Sequence, residues 1–507
     1  MAGALTFKHS IDAQAKGQIF LLLAGVALPL FLTLLVIESF WIPLVLLAGL
    51  GVLATLLALN PREVLLLAFA YLPFQSLLND VFAGMIPAIA VCKDALMVLL
   101  ISSFLFRHFR RGVYVNYVVY FLLAFIAVGV LLIPFSPDPL RAVLQLRCMT
   151  IYPFIIVLAA NLLETPEELR RLLRVVAIIG TVTVIYGVVQ YFTLFDVPFR
   201  NAGGSVMQRM GRFDEFGVVS TFASRPDFGG YLIPLFLLFF QVKLWPAKKS
   251  VWFFRWAMLG VIPGCLLLTF SRTTWLAMAI GGFVAIYLTD KVKAILLAVT
   301  MIVLLLIAVQ AKNFFLSSSL QEAATSNESF LIRLSYWPAV FQHVLANPMG
   351  MGLGTVGGAH LFESKAETDS YGNLSYDPNT AFDASGGFSA ENILSVTDNN
   401  YLKFMVQGGF LLLAAFLAFV ISVLTLAHRI LKLVRDQWLR DVVVWATASF
   451  ASLLTIFMFV DFMESVPATS VYWLAAGVVC FVAKLCKPQM TEKRQSGLSP
   501  AATAQAL

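Results

Sequence analysis

Arginine is the residue of this sequence whose placement asks for chemistry. Arg272 stands in "LTFSRTTWLAM", where one apolar run ends and the next begins. Arg225 lies in "FASRPDF", Arg212 in "MGRFDEF", and Arg333 in "FLIRLSYW". A guanidinium carries a rigid fork of donors that matches phosphate oxygens in bidentate fashion, whereas a lysine is a point charge. Arginines at the rims of apolar segments therefore suit a phosphate or diphosphate headgroup at a membrane edge. Arginines also snorkel and anchor helix ends without binding anything, and residue type alone leaves both readings open. No cluster of acids with histidines has metal-ligand spacing. The expectation is a site without metal and without a cofactor.

The elements that position such residues are apolar helices. Of the residues, 60% are hydrophobic and 12% charged, against about 45–50% and about 25% for a soluble domain. Apolar runs recur at 18–36, 41–59, 63–79, 94–106, 113–135, 148–163, 173–194, 229–242, 256–270, 273–289, 293–310, 400–425, 442–460 and 466–484. This predicts an all-α polytopic membrane protein with about 12–14 spans. Pro73, Pro87, Pro153 and Pro234 are expected to mark kinks or re-entrant pieces. The five cysteines are scattered without metal spacing and read as small core residues.

Charge distribution sets the orientation. With residues 1–17 as a cytoplasmic tail, the inner loops of this topology collect 23 of the 35 basic residues, as the positive-inside rule requires. The net charge of +7 thus reads as topology, not as nucleic-acid affinity. The other twelve basic residues fall outside, and eight of those are arginines. Two outer segments are too long for mere connections: one near 195–230 and one at 311–399, between the helices of 18–310 and those of 400–484. The second holds an amphipathic stretch ending at Pro348. Its Phe330, Leu331, Leu334, Trp337, Pro338, Phe341 and Val344 are expected to lie along the bilayer surface. The glycines of "NPMGMGLGTVGG", Gly352 and Gly354 among them, permit close backbone approach, and their amides could cradle an anion. The polar remainder of the loop is expected to form a mobile lid, and 485–507 a disordered cytoplasmic tail.

The order of these features carries a resemblance. An outer Ser-Arg opens a span; an arginine-bearing amphipathic helix, the glycine stretch and "TDNNYLKFMVQGGFLLLAAF" follow. This set resembles the O-antigen ligase and O-antigen polymerase superfamily of integral membrane glycosyltransferases, most closely over Thr221–Phe419. The resemblance implies a C-type glycosyltransferase architecture in the bacterial cytoplasmic (inner) membrane, with its site on the periplasmic face. It implies an undecaprenyl-pyrophosphate-linked glycan as donor and a glycan or lipid as acceptor. Its other partners would be membrane lipids and, as companions, a flippase and a chain-length regulator. Arg272 and Arg333 match the family's arginines, Arg225 more loosely; in the family such arginines hold the donor pyrophosphate. Asn399 and Tyr401 match the start of the span after the loop, beside Lys403. Asp398 stands where ligases place a histidine, a departure that favours a polymerase of exopolysaccharide or O-antigen repeats over a lipid A core ligase.

The resulting mechanism is glycosyl transfer with pyrophosphate departure. Arginines stabilise the leaving charge, and Asp398 or, alternatively, His360 takes the acceptor proton. Asp398 also suits an N-cap. Asp461 and Glu464 are expected at the outer rim, paired with the site arginines, and Lys93 with Asp94 as a local anchor. Two other classes remain: an anion or solute transporter, against which the absence of repeats and of midplane charges speaks, and a scaffold, which has no need of an outer arginine set.

Overall fold

In the computed structural model the described residues are 61–82, 89–108, 112–193, 217–246, 248–290, 292, 337–338, 340–342, 344–356 and 399–496. The helices are α1 (Pro61–Tyr71), α2 (Gln75–Phe82), α3 (Ile89–His108), α4 (Tyr117–Leu132), α5 (Pro139–Thr150), α6 (Ile155–Leu162) and α7 (Pro166–Thr193). They continue with α8 (Arg225–Gln241), α9 (Lys249–Leu268), α10 (Arg272–Thr289), α11 (Asn400–Leu431), α12 (Gln437–Phe457) and α13 (Val466–Ser496). No strand occurs among the described residues. Among the described residues, seven crossings are long and apolar enough to span a membrane: Tyr117–Phe135, Pro139–Leu162, Pro166–Thr193, Lys249–Leu268, Asn400–Leu431, Gln437–Phe457 and Val466–Lys487. The protein is an all-α polytopic membrane protein. The expected spans at 18–36, 41–59 and 293–310 lie outside the described residues.

Local chemistry explains where helices start and break. Asn116 caps α4 and Asp138 caps α5 through backbone amides, and Pro139 begins α5 at a position that has no hydrogen bond to lose. The run expected at 63–79 is two helices, parted by a 3₁₀ turn, Leu72–Phe74, that contains Pro73. Pro153 lies in the turn between α5 and α6. The span expected at 148–163 is therefore the second part of a longer, bent crossing.

Pro234 differs from these, because it lies inside α8, which continues to Gln241. A helical proline leaves the carbonyl four residues earlier without its donor. That carbonyl belongs to Gly230, and the Tyr472 hydroxyl of α13 donates to it at 2.5 Å. The helix survives its proline because a neighbouring helix supplies the missing donor.

The centre of the bundle is α13, whose spanning window is wholly buried. It packs on α6, α8, α11 and α12, while α12 also carries α10. Trp445 and Trp473 are among the largest fully buried side chains. Small residues allow the closest approaches: Gly477 lies on Ala159 and Ile156, and Gly281 on Ser452.

Charge is divided between the two ends. At one end Arg62 pairs with Glu164 and Glu168, and Arg171 with Glu63. There Arg174 donates to the Leu244 carbonyl, Arg255 to Phe239 and Phe240, and Lys484 to Ala160 and Leu163. All these cations come from the loops expected on the inner side, and we call this the basic face. The opposite end carries the starts of α5, α8, α10, α11 and α13, and we call it the site face.

Candidate functional site

Two arginines open two adjacent helices at the site face. Arg225 is the first residue of α8, where Ser224 caps the helix by accepting from the Asp227 amide at 3.3 Å. Arg272 is the first residue of α10, after Ser271. Helix starts expose unpaired amides and a positive dipole end. An arginine at such a start adds a second, mobile positive group to a place already suited to an anion.

The chain leading into each of these helices is held in unusual backbone. Among the described residues, Ser220 and Phe270 are the non-glycine residues with positive φ, both at 52°. Each precedes an arginine-led helix by a few residues. Such conformations cost about 1–3 kcal/mol and persist where surroundings impose them. Here Gln190 of α7 accepts from the Val219 and Ser220 amides, and the Ser220 hydroxyl donates to the Thr183 carbonyl. The Val218 amide donates to the Leu268 carbonyl at 3.0 Å, which ties this segment to the end of α9, just ahead of Arg272. The Arg225 side chain lies across Gly217, where any side chain would overlap its Cδ.

Gly229 and Gly230, one turn into α8, join these starts to a third group. A Cβ at Gly229 would lie 2.7 Å from the Thr274 hydroxyl of α10, and one at Gly230 would overlap the Phe462 ring. Next to Phe462 is Asp461. Its carboxylate accepts from the Lys403 ammonium at 2.6 Å and from the Asn400 side-chain amide at 2.8 Å. Glu464 is the second acceptor for Lys403, and the Asn400 side-chain oxygen, Oδ1, accepts from the Phe462 amide. Lys403 is 0% exposed, so its charge requires these partners. Burial is the main cause that holds the Asp461 carboxyl up at about 6, with Lys403 pulling against it and the neighbouring Glu464 pushing the same way.

The glycine stretch has a different task from the one expected of it. Helix α11 breaks at Gly408 and Gly409, the latter at φ 61° and ψ −161°. The break leaves carbonyls and amides without intrahelical partners. The Met351 amide donates to the Val406 carbonyl at 2.8 Å and the Gly352 amide to the Gln407 carbonyl at 3.0 Å, while the Phe410 amide donates to Pro348. Expected to cradle an anion, the Gly352 amide is instead spent on mending a helix. Gly352 sits against Ser136 and Gly354 against Arg141, so the stretch also bridges α11 to the start of α5.

Other residues singled out from sequence also have structural partners. Asn399 caps α11 by accepting from the Tyr401 and Leu402 amides. The cap expected of Asp398 is thus supplied one residue later. The Tyr401 hydroxyl donates to the Leu454 carbonyl of α12. Asp461 and Glu464, expected to pair with the site arginines, both hold Lys403. The described residues between 337 and 346 are helical. Val340 and Val344 are buried against Leu402, Met405 and Val406 of α11, which corrects the expectation that Val344 faces lipid. Phe341, Leu345 and Met349 form the exposed apolar side. Asp398, Arg333, Arg212 and His360 lie outside the described residues.

Sequence reasoning named Lys403, Asp461 and Glu464 but did not join them, and it missed Asn400. A lysine inside an apolar span with two acids at a later helix start was the available signal, since buried charges are paired. Lys93, taken as an anchor with Asp94, belongs to a wider network: Asp94 accepts from Arg147 at 3.0 Å and from the Tyr152 hydroxyl at 2.5 Å. Arg147 and Tyr152 were not predicted for it.

Fold and site define a polytopic membrane protein with an arginine-led polar site at one end of its helical bundle. Residues 257–417 match the family model described as O-antigen ligase. The matched stretch runs from α9 into α11 and contains Arg272, Arg333, the glycine stretch, Asp398 and Lys403; Arg225, Asp461 and Glu464 lie beyond it. No curated protein matches the chain.

Proposed function

We propose that the protein transfers a glycan from an undecaprenyl-pyrophosphate donor to a second glycan, as a polymerase of exopolysaccharide or O-antigen repeat units. The site face then lies at the periplasmic surface of the bacterial cytoplasmic membrane, and the basic face in the cytoplasm. The observation that carries this reading is the pair of adjacent helix starts led by Arg225 and Arg272 and joined through Gly229 and Thr274.

The chemistry follows from that placement. As the sugar leaves, negative charge grows on the pyrophosphate oxygen. Guanidinium groups and helix-start amides already in place stabilise that charge more than they stabilise the bound donor. They act in a water-poor setting where each contact counts for more than in bulk water. The Lys403–Asp461–Glu464 group beside them fixes the start of α11. In this proposal Asp398 accepts the proton of the acceptor hydroxyl.

Asp398, in place of the ligase histidine, favours polymerase over transfer to lipid A core. Deletion of the gene separates the two. Single repeat units on the lipid core indicate a polymerase; loss of attachment with long lipid-linked chains retained indicates a ligase. Arg272→Ala and Arg225→Ala are expected to shorten or abolish the surface polysaccharide ladder. An unchanged ladder in both variants counts against the pyrophosphate clamp.

A further inference from the structure

The basic face holds a cavity that the transfer reaction does not use. It measures about 220 Å³ and lies where α1 packs on the first turns of α7, beside Leu163 of the turn that joins α6 to α7. Two arginines, two glutamates and four leucines line it. The four charged side chains are 28% to 62% exposed, so the cavity opens at the surface. Of the leucines, Leu65, Leu163 and Leu172 are at most 3% exposed and make an apolar floor.

The charges face one another across the two helices. Arg171 of α7 donates to both oxygens of Glu63 of α1, at 2.8 and 2.9 Å. Arg62 of α1 donates in turn to Glu168 of α7, and Glu164, which does not line the cavity, pairs with Arg62 as well. Glu168 also closes a capping box: its carboxylate accepts from the Thr165 amide at 3.4 Å, and its own amide donates to the Thr165 hydroxyl at 3.3 Å. Ion pairs this exposed add little to stability, so a clamp between helices is a poor account of four charges gathered around a hollow. Helix α7 is the crossing Pro166–Thr193, and Glu168 and Arg171 stand in its first two turns. Charged side chains at the end of a crossing lie at the level of the lipid headgroups.

We propose that this cavity binds the headgroup of phosphatidylethanolamine from the leaflet at the basic face. The phosphate lies against Arg62 and Arg171, the ammonium against Glu63 and Glu168, and the start of the acyl chains against the leucines. Two positive and two negative side chains line the cavity, which matches a ligand that carries one charge of each sign. Phosphatidylglycerol brings an anion alone and leaves the carboxylates facing no cation. Phosphatidylcholine has both charges, but its trimethylammonium has no N–H to give to a carboxylate. The volume is below the roughly 300–1,000 Å³ of pockets that enclose a drug-sized molecule, and so suits a headgroup whose tails stay in the bilayer. The assignment goes beyond glycan transfer and does not rest on it.

The full-length protein is placed in nanodiscs that hold phosphatidylethanolamine, phosphatidylglycerol and phosphatidylcholine in equal amounts. The lipid it retains on release is counted by native mass spectrometry. The parent should retain phosphatidylethanolamine over either other lipid by about tenfold, the worth of one charge-assisted hydrogen bond. Glu63→Gln/Glu168→Gln keeps the side-chain shapes and, since glutamine also serves in a capping box, the start of α7. That variant should hold phosphatidylethanolamine no better than phosphatidylcholine. Equal retention of the three lipids by the parent overturns the proposal. So does an undiminished preference in the double variant, whose melting temperature then falls alike in every lipid if the ion pairs are a structural clamp only. If the double variant does not fold, Glu63→Gln carries the same test. Soluble phosphoethanolamine at millimolar concentration should leave the retained lipid in place; its displacement would contradict a membrane source for the ligand.

Discussion

The two ends of the helical bundle use the same charged residue types in opposite ways. At the basic face, Arg171 and Glu63 pair with side chains that are 62% and 46% exposed, and Arg174, Arg255 and Lys484 donate to carbonyls near helix ends. The Arg171–Glu63 pair is solvated, and the carbonyl contacts there are part-buried but each involves a single cation. At the site face, Lys403 is wholly buried and serves two carboxylates and, through Asp461, the Asn400 amide. Only the second arrangement commits many groups to one geometry. The difference teaches how to sort charge in a membrane protein: solvated cations at helix ends set topology, while buried networks hold a site.

The largest test of this comparison is Lys403→Ala. It strands Asp461 and Glu464 without their cation, and breaking a buried pair from one side costs about 3–5 kcal/mol. The variant should show a large fall in melting temperature in detergent. A fall no greater than that of a surface variant would dissolve the contrast between the faces.

Next comes Gly409→Ala. Gly409 has a backbone conformation open essentially to glycine alone, and a Cβ there would overlap the Pro348 carbonyl. The strain amounts to about 1–3 kcal/mol and falls on the contact that docks 348–352 onto α11. Limited proteolysis within that stretch should become faster, with the bundle otherwise intact.

The third is a pH effect. The Asp461 carboxyl stands at about 6 in the folded protein, against an ordinary 3.8. The folded state then binds the proton more tightly than the unfolded one. Stability should therefore fall as pH rises from about 4 to about 6, and level off above. Thermal unfolding across that window should show the slope, and Asp461→Asn should flatten it. At the basic face Arg171→Ala should cost under about 1 kcal/mol, read as a melting shift close to zero that shrinks further in salt.

Much of the fold was legible because a spanning helix must be apolar along its length. The limits of that rule are visible in particular elements. The α5 half of its crossing was missed because Arg141, Gln145 and Arg147 interrupt the hydropathy, and burial inside protein is what permits them. The start of α9 was placed at 256 rather than Lys249 because Lys249 and Arg255 flank Trp252 and Phe253, an interfacial pattern that hydropathy undervalues. The Gly408–Gly409 break was written in the sequence as a glycine pair in an apolar run, but its partner at 348–352 was not. At the site, Arg225 and Arg272 could be read one at a time from their positions at helix starts. The pairing of Lys403 with acids 58 and 61 residues later, and of Asp94 with Arg147 53 residues later, depends on tertiary contact that no local pattern encodes.

The most direct test of the account compares the affinity of the purified protein for undecaprenyl pyrophosphate and for undecaprenol, in the parent and in the Arg225→Ala/Arg272→Ala double variant. The parent should prefer the diphosphate by at least about a hundredfold, the worth of two charged hydrogen bonds, and the double variant should bind the two lipids alike. Undiminished preference for the diphosphate in the double variant would contradict it.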